Sequence, residues 1–236
     1  MWNRVELKER GKAAMKANYG MAVVVSLIMT VLAGGSGAYT GSNVSKNAGD
    51  AVKNSGIAPE ALVAIMAAVV SIAVIIMIAG FVLKVFLFNP LYVGCRNFFI
   101  KNSEAPAQLG EVGRAFQPSW MNNVLTMFLT DLFLGLWFCV FIIPGFVKIY
   151  SYRLVPYIMA ENPDLKGTEA ITLSRQYMKG NKWKAFCFDI SFVGWWLLSL
   201  ITCGILEVLY VGPYYNCACA ELYKAIRDEN NIVVQE

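Results

Sequence analysis

Apolar runs long enough to cross a bilayer alternate with short polar segments along most of this chain. A membrane span needs about 20 apolar residues at about 1.5 Å rise each. On that basis the pattern predicts six spans: 19–39, 60–88, 120–143, 146–160, 183–203 and 205–223. The second is longer than a bilayer requires, so it must tilt or protrude. The fourth is short and holds Lys148, Arg153 and Pro156, so it can be a bent span or a re-entrant segment. Pro144-Gly145 and Gly204 supply breaks between neighbouring runs. The first run begins well inside the chain and reads as a retained span rather than a cleaved signal peptide. The expected fold is all-α. It is a single transmembrane domain over 1–236, with about six membrane helices arranged as three hairpins.

A polar segment with helical periodicity precedes each hairpin. In the first, 2–17, Val5, Ala13 and Met15 oppose a basic face, and Trp2 can anchor at an interface. In the second, Leu109, Val112, Ala115 and Phe116 follow a 3-4 spacing, and Ala170, Ile171, Leu173, Ser174 and Met178 do so in the third. Basic amphipathic helices bind anionic leaflets, each cation contributing roughly 1 kcal/mol near the surface. The candidate inner-leaflet contacts are Arg4, Lys8, Lys12, Lys16, Arg175, Lys179, Lys182 and Lys184. The alternative is three solvated helices packed on the hairpin ends. Segments 6–22 and 169–185 also match without a gap: a leading Glu, Lys12 against Arg175, then Met-Lys, a small residue, Asn and Ala. This suggests an internal repeat of surface helix, span, turn and span.

Charge sets the orientation. The N-terminal segment, the two segments after spans two and four, and the C-terminal tail hold fifteen of the 20 basic residues, whereas the opposite side holds only Lys46 and Lys53. Six spans then satisfy the positive-inside rule, with both termini in the cytoplasm. Composition agrees: 57% of residues are apolar and 15% charged, where a soluble domain carries about 25% charged. A net charge of +4 is too small to argue for nucleic acid. The chain has no histidine, which removes the commonest general base and metal ligand. The six cysteines show no Cys-x-x-Cys spacing and read as small apolar packing residues. No catalytic, metal or cofactor residue is therefore expected.

Charges at bilayer depth cost at least about 2.5 kcal/mol each and usually face a partner or water. Six are candidates here: Lys84, Asp131, Lys148, Arg153, Asp189 and Glu207. Counting from span ends pairs Lys84 with Asp189, Asp131 with Arg153, and Lys148 with Glu207. Such pairs can fix helix register, or some of their members can line a polar cavity. Lys84 and Lys148 can also snorkel to the interface.

The residues from Arg4 to Lys8 and Met15 to Tyr19 resemble the opening of a bacterial integral-membrane family labelled domain of unknown function 975. Tyr152 to Leu165, Ser174-Arg175, Met178 to Lys184, Asp189, Ser191-Phe192, Gly194 to Trp196, Pro213-Tyr214 and Glu221 to Tyr223 resemble it too. The family is found mostly in bacteria of the Firmicutes type. It is distantly similar to the membrane domain attached to some glycerophosphodiester phosphodiesterases. The resemblance implies a plasma-membrane helical protein and carries no activity with it.

Two functions are compatible with these features. One is a non-enzymatic membrane module that binds lipid or another membrane protein through its basic inner surface. The other is a transporter of an ion or small solute, with a polar route near Asp131, Arg153 and Asp189. A cavity reaching Asp131 would favour the second, and dry, sealed pairs the first.

Overall fold

The computed structural model describes residues 2–32, 59–117 and 120–234, which are helical with no strand among them. Helix α1 is Arg4–Ala17, capped by Asn3, whose side chain accepts the Val5 N–H at 3.0 Å. Helix α2, Tyr19–Leu32, leaves it at 107°. Asn18 pins the bend, because its side-chain amide donates to Asn102 Oδ1 at 2.8 Å and to the Ala107 carbonyl at 2.7 Å.

Helix α3, Pro59–Leu83, passes through a π-turn, Lys84–Phe88, into α4, Asn89–Asn102. The sequence places a span end at Phe88, yet the helix continues, apolar enough to span, from Val63 to Asn102. Asn89-Pro90 ends the apolar run without ending the helix. A helix-interior proline lacks an N–H and clashes with the carbonyl four residues back. The π-turn widens the helix at that point, with the Asn89 N–H reaching Lys84 O, and the freed Phe86 carbonyl accepts Trp120 Nε1 at 3.1 Å.

A short α5, Gly110–Gly113, and a 3-10 turn lead to α6, Trp120–Val140. Then follow α7, Ile142–Tyr152; α8, Val155–Glu161; α9, Gly167–Tyr177; α10, Lys182–Ile190; and α11, Val193–Ile201. A second π-turn, Glu207–Val211, opens α12, Gly212–Val234. It too precedes a proline, Pro213, and the freed Leu209 carbonyl accepts the Tyr19 hydroxyl at 2.7 Å.

The buried core sits at one end of the molecule. Phe98 and Phe99 of α4, Val155 and Ile158 of α8, and Ala218, Leu222 and Ile226 of α12 are fully or almost fully buried. Tyr157 and Tyr223 stack at 5.1 Å between ring centroids. The three short helices pack on this core: α1 on α12, α5 on α4 and α9 on α8. Close approach needs glycine here. A Cβ on Gly11 would lie 2.6 Å from Ala218 Cα, and one on Gly94 2.0 Å from the Val112 carbonyl oxygen.

The other end is apolar and outward-facing. Ile75, Ile76 and Met77 of α3, Ile142, Ile143 and Phe146 of α7, and Leu200 and Ile201 of α11 are all exposed. Three helical stretches are long and apolar enough to cross a membrane: Val63–Asn102, Trp120–Val140 and Lys182–Ile201. Counting the bent pair α1–α2 as one gives up to four among the described residues. Run 146–160 is divided at Arg153-Leu154 into α7 and α8. Run 205–223 continues to Val234, past the polar stretch of α12. The Gly/Ser-rich segment with Lys46 and Lys53, and the last part of run 19–39, lie outside the described residues.

Helix α1 buries a different stripe from the one the sequence suggests, whereas the other two short segments bury positions from the stripes it picks out. In α1 the buried stripe is Leu7, Gly11 and Met15, while Val5 is exposed. Val112 and Ala115 are buried in the second segment, and Ala170, Ile171, Ser174 and Met178 in the third. A four-residue stripe is the geometry of helix-on-helix packing, so each of these helices has a protein partner on one side.

Candidate functional site

Where the apolar helices meet the core, Lys84, Asp131, Arg153 and Asp189 line one cavity of ≈ 520 Å³ together with Asn89, Tyr92, Arg96 and Tyr157. Four of the six charges picked from the sequence therefore converge, but their partners are exchanged. Lys84 Nζ lies 3.2 Å from Asp131 Oδ2, and Arg153 Nη1 lies 2.7 Å from Asp189 Oδ2. The reason is helix length. With the helix running from Val63 to Asn102, Lys84 is near its middle rather than one turn from its end, which brings it level with Asp131.

The two pairs differ in setting. The Lys84–Asp131 pair is half open, its side chains 58% and 42% exposed. The Arg153–Asp189 pair is enclosed at 14% and 17% and held by a tyrosine frame. Tyr215 donates to Asp189 Oδ1 at 3.0 Å, and Tyr150 donates to Asp189 Oδ2 at 3.1 Å. Arg153 Nη2 donates to the Tyr215 oxygen at 3.1 Å and to Cys219 Sγ at 3.2 Å. Cys219 is thus a polar partner as well as a packing residue. The break between α7 and α8 positions Arg153, since the turn before Pro156 aims its side chain across to α10 and α12.

Arg96 is the residue the sequence reading placed in a cytoplasmic segment and the structure places in the core. It is 9% exposed. Its Nη1 donates to the Tyr157 hydroxyl at 2.7 Å and to Asn216 Oδ1 at 3.1 Å, its Nη2 to the Tyr92 hydroxyl, and its Nε has no partner. The guanidinium also lies over the Tyr92 and Tyr157 rings at 4.7 and 4.9 Å. All these partners are neutral. Asn89, likewise buried, keeps an unpartnered Nδ2. The lining thus holds three cations against two carboxylates, and two of its residues retain buried donors without acceptors. A signal for Arg96 was present in the sequence: Leu91, Tyr92, Cys95, Phe98 and Phe99 continue a helical apolar stripe past Pro90.

Lys148 and Glu207 are not paired. Lys148 Nζ lies over the Trp137 ring at 4.2 Å, and Glu207 accepts from Ser199 Oγ at 3.2 Å. Lys148 instead shares a shallow recess with Arg175, Lys179 and Lys182. Of the other candidate leaflet contacts, Arg4, Lys12 and Lys16 are exposed on α1. Lys184 lies 5.8 Å from the Trp2 ring. Lys8 is engaged internally, donating to the Ser191 carbonyl at 2.9 Å with its ammonium over Phe192. Burial, with Arg4 alongside, holds that ammonium below the usual lysine range.

Among the described residues no group of three or more His, Cys, Asp or Glu is arranged to hold a metal. No curated protein and no solved structure matches the chain. Residues 114–230 match the family model described as "Protein of unknown function (DUF975)", which supports that family for the segment containing α6 to α11 and most of α12.

Proposed function

We propose that this chain is a multi-crossing protein of the bacterial plasma membrane, both termini cytoplasmic, whose polar cavity binds a small anionic solute and gives it a route through the bilayer. The observation that carries the reading is Arg96: a buried guanidinium whose hydrogen-bond partners are all uncharged. Leaving a buried charge uncompensated costs several kcal/mol. A bound anion offsets that cost, and Lys84 at the open rim draws it in. The tyrosine hydroxyls around Arg96 and Asp189 can reorient to follow a passing charge. The reading is non-catalytic.

The cytoplasmic termini rest on the one-sided distribution of Lys and Arg; with Lys148 level with Arg175 and Lys182, the turn at Phe141 lies only about 10 Å deeper, so the α6–α7 hairpin is re-entrant. The repeat is supported by cyclic packing. If the units run 2–102, 109–161 and 167–234, each opening helix packs on the closing helix of the unit before it, and α1 closes the ring on α12. A partner-binding module is the second reading, favoured by the exposed apolar side chains around α3.

The test is thermal unfolding of the detergent-purified protein with chloride, phosphate, acetate and dicarboxylates, followed by uptake into proteoliposomes. A fitting anion at about a hundred times its Kd stabilises the fold by about 2.7 kcal/mol. Lys84→Gln should keep the fold and weaken this response, and Arg96→Gln should abolish it. If no small anion shifts the transition or enters the vesicles, the module reading replaces this one.

A further inference from the structure

We infer that Lys148, Arg175, Lys179 and Lys182 form a binding site for the headgroup of an anionic phospholipid. The inference rests on the membrane placement proposed above but not on the solute cavity.

The four cations line a recess of ≈ 380 Å³ together with Ser151, Thr172 and Gln176, and no carboxylate lines it. Three elements build it. Helix α7 supplies Lys148 and Ser151; α9 supplies Thr172, Arg175 and Gln176; the turn after α9 and the start of α10 supply Lys179 and Lys182. Thr172, Arg175 or Gln176, and Lys179 follow a 3-4 spacing, so they share one helical face. Arg175 and Lys182 both lie within electrostatic reach of Lys148 and repel it. Among the described residues none of the four is ion-paired to a carboxylate. Four like charges gathered around one concavity disfavour the empty state, and a phosphodiester relieves the repulsion.

A lipid rather than a free ion follows from what borders the recess. Lys148 sits against Trp137, and the turns of α7 beside it expose Ile142, Ile143, Phe146 and Val147. An acyl chain laid along that apolar face puts its phosphate at Lys148. Trp137 marks the boundary, as an interfacial aromatic does, while the Ser151 and Thr172 hydroxyls donate to the Val147 and Thr168 carbonyls at 3.0 and 2.8 Å and leave the phosphate to the four cations.

The experiment titrates short-chain phosphatidylglycerol into the full-length protein in a neutral detergent, reading the unfolding temperature by tryptophan fluorescence. Short-chain phosphatidylcholine and inorganic phosphate are the comparison arms. Phosphatidylglycerol should stabilise at concentrations at least about tenfold below those of either. A K148Q/R175Q/K179Q/K182Q variant should lose that preference. A control lacking four exposed cations elsewhere, R4Q/K12Q/K101Q/K166Q, should keep it. Equal responses to the two lipids overturn the site. So does an equal response to inorganic phosphate, which would make it a free-anion site, or an equal loss in the control, which would make the effect diffuse charge. A protein recovered folded without detergent would instead remove the membrane placement itself.

Discussion

Asp189 shows how one carboxylate can organise a polar cavity. It accepts from Arg153, Tyr150 and Tyr215 at once, so its lone pairs are well used in a poorly hydrated setting. Breaking a buried pair by removing one partner costs about 3–5 kcal/mol, whereas replacing both charges can be nearly neutral. Arg153→Met and Asp189→Leu should each lower the unfolding temperature strongly. Arg153→Met combined with Asp189→Leu should recover more than half of the loss. Calorimetry of the three proteins in one detergent checks this, and additive losses in the double variant would show that the two residues act separately. Residue type and apolar context were enough to select Lys84, Asp131, Arg153 and Asp189 from the sequence. Their pairing was not legible, because depth was counted from the end of the apolar run at Phe88, past which the helix continues. Arg96 was missed for the same reason, since a helix ended at Phe88 leaves it in a loop.

At the level of elements, the two π-turns solve one problem twice. Each opens a long helix just before an x-Pro step, and each leaves a carbonyl that a neighbouring helix satisfies with an aromatic donor: Trp120 for Phe86 and Tyr19 for Leu209. An orphan carbonyl is expensive where no water reaches it. Tyr19→Phe deletes one hydroxyl and little else, so it should cost about 1 kcal/mol, and Trp120→Phe somewhat more because ring area is lost as well. Leu7 offers a contrast on α1. It is 2% exposed against α12, so Leu7→Ala should cost about 2–5 kcal/mol, whereas Val5→Ala on the exposed face should stay within about 0.5 kcal/mol. Denaturant melts of the four variants rank these effects, and a Tyr19→Phe protein as stable as the parent would leave the Leu209 carbonyl with another partner. In the sequence Tyr19 and Trp120 only mark where two apolar runs begin. Their donor role depends on which helices become neighbours, and local pattern does not carry that information.

For the whole molecule, the proposed topology makes the cysteines into reporters. Cys95, Cys217 and Cys219 are buried in the core, while Cys139 and Cys203 are exposed. The two exposed thiols differ in surroundings. Cys139 lies between Trp137 and Val140, in an outward-facing apolar band. A thiolate does not form readily in such a place once lipid covers it. Cys203 adopts φ 50° beside Gly204 at φ 83°, in the turn between α11 and the second π-turn. With both termini cytoplasmic and the stretch Lys182–Ile201 crossing the bilayer, that turn faces the cell exterior. A membrane-impermeant maleimide added to intact cells should therefore modify one thiol, and Cys203→Ser should abolish the signal. Denaturation should make the core cysteines reactive as well. Modification of Cys203 only after the cells are permeabilised would place the turn inside. The cationic short helices would then face outward, and the polarity of the solute route, together with the leaflet whose lipid fills the Lys148 recess, would be reversed.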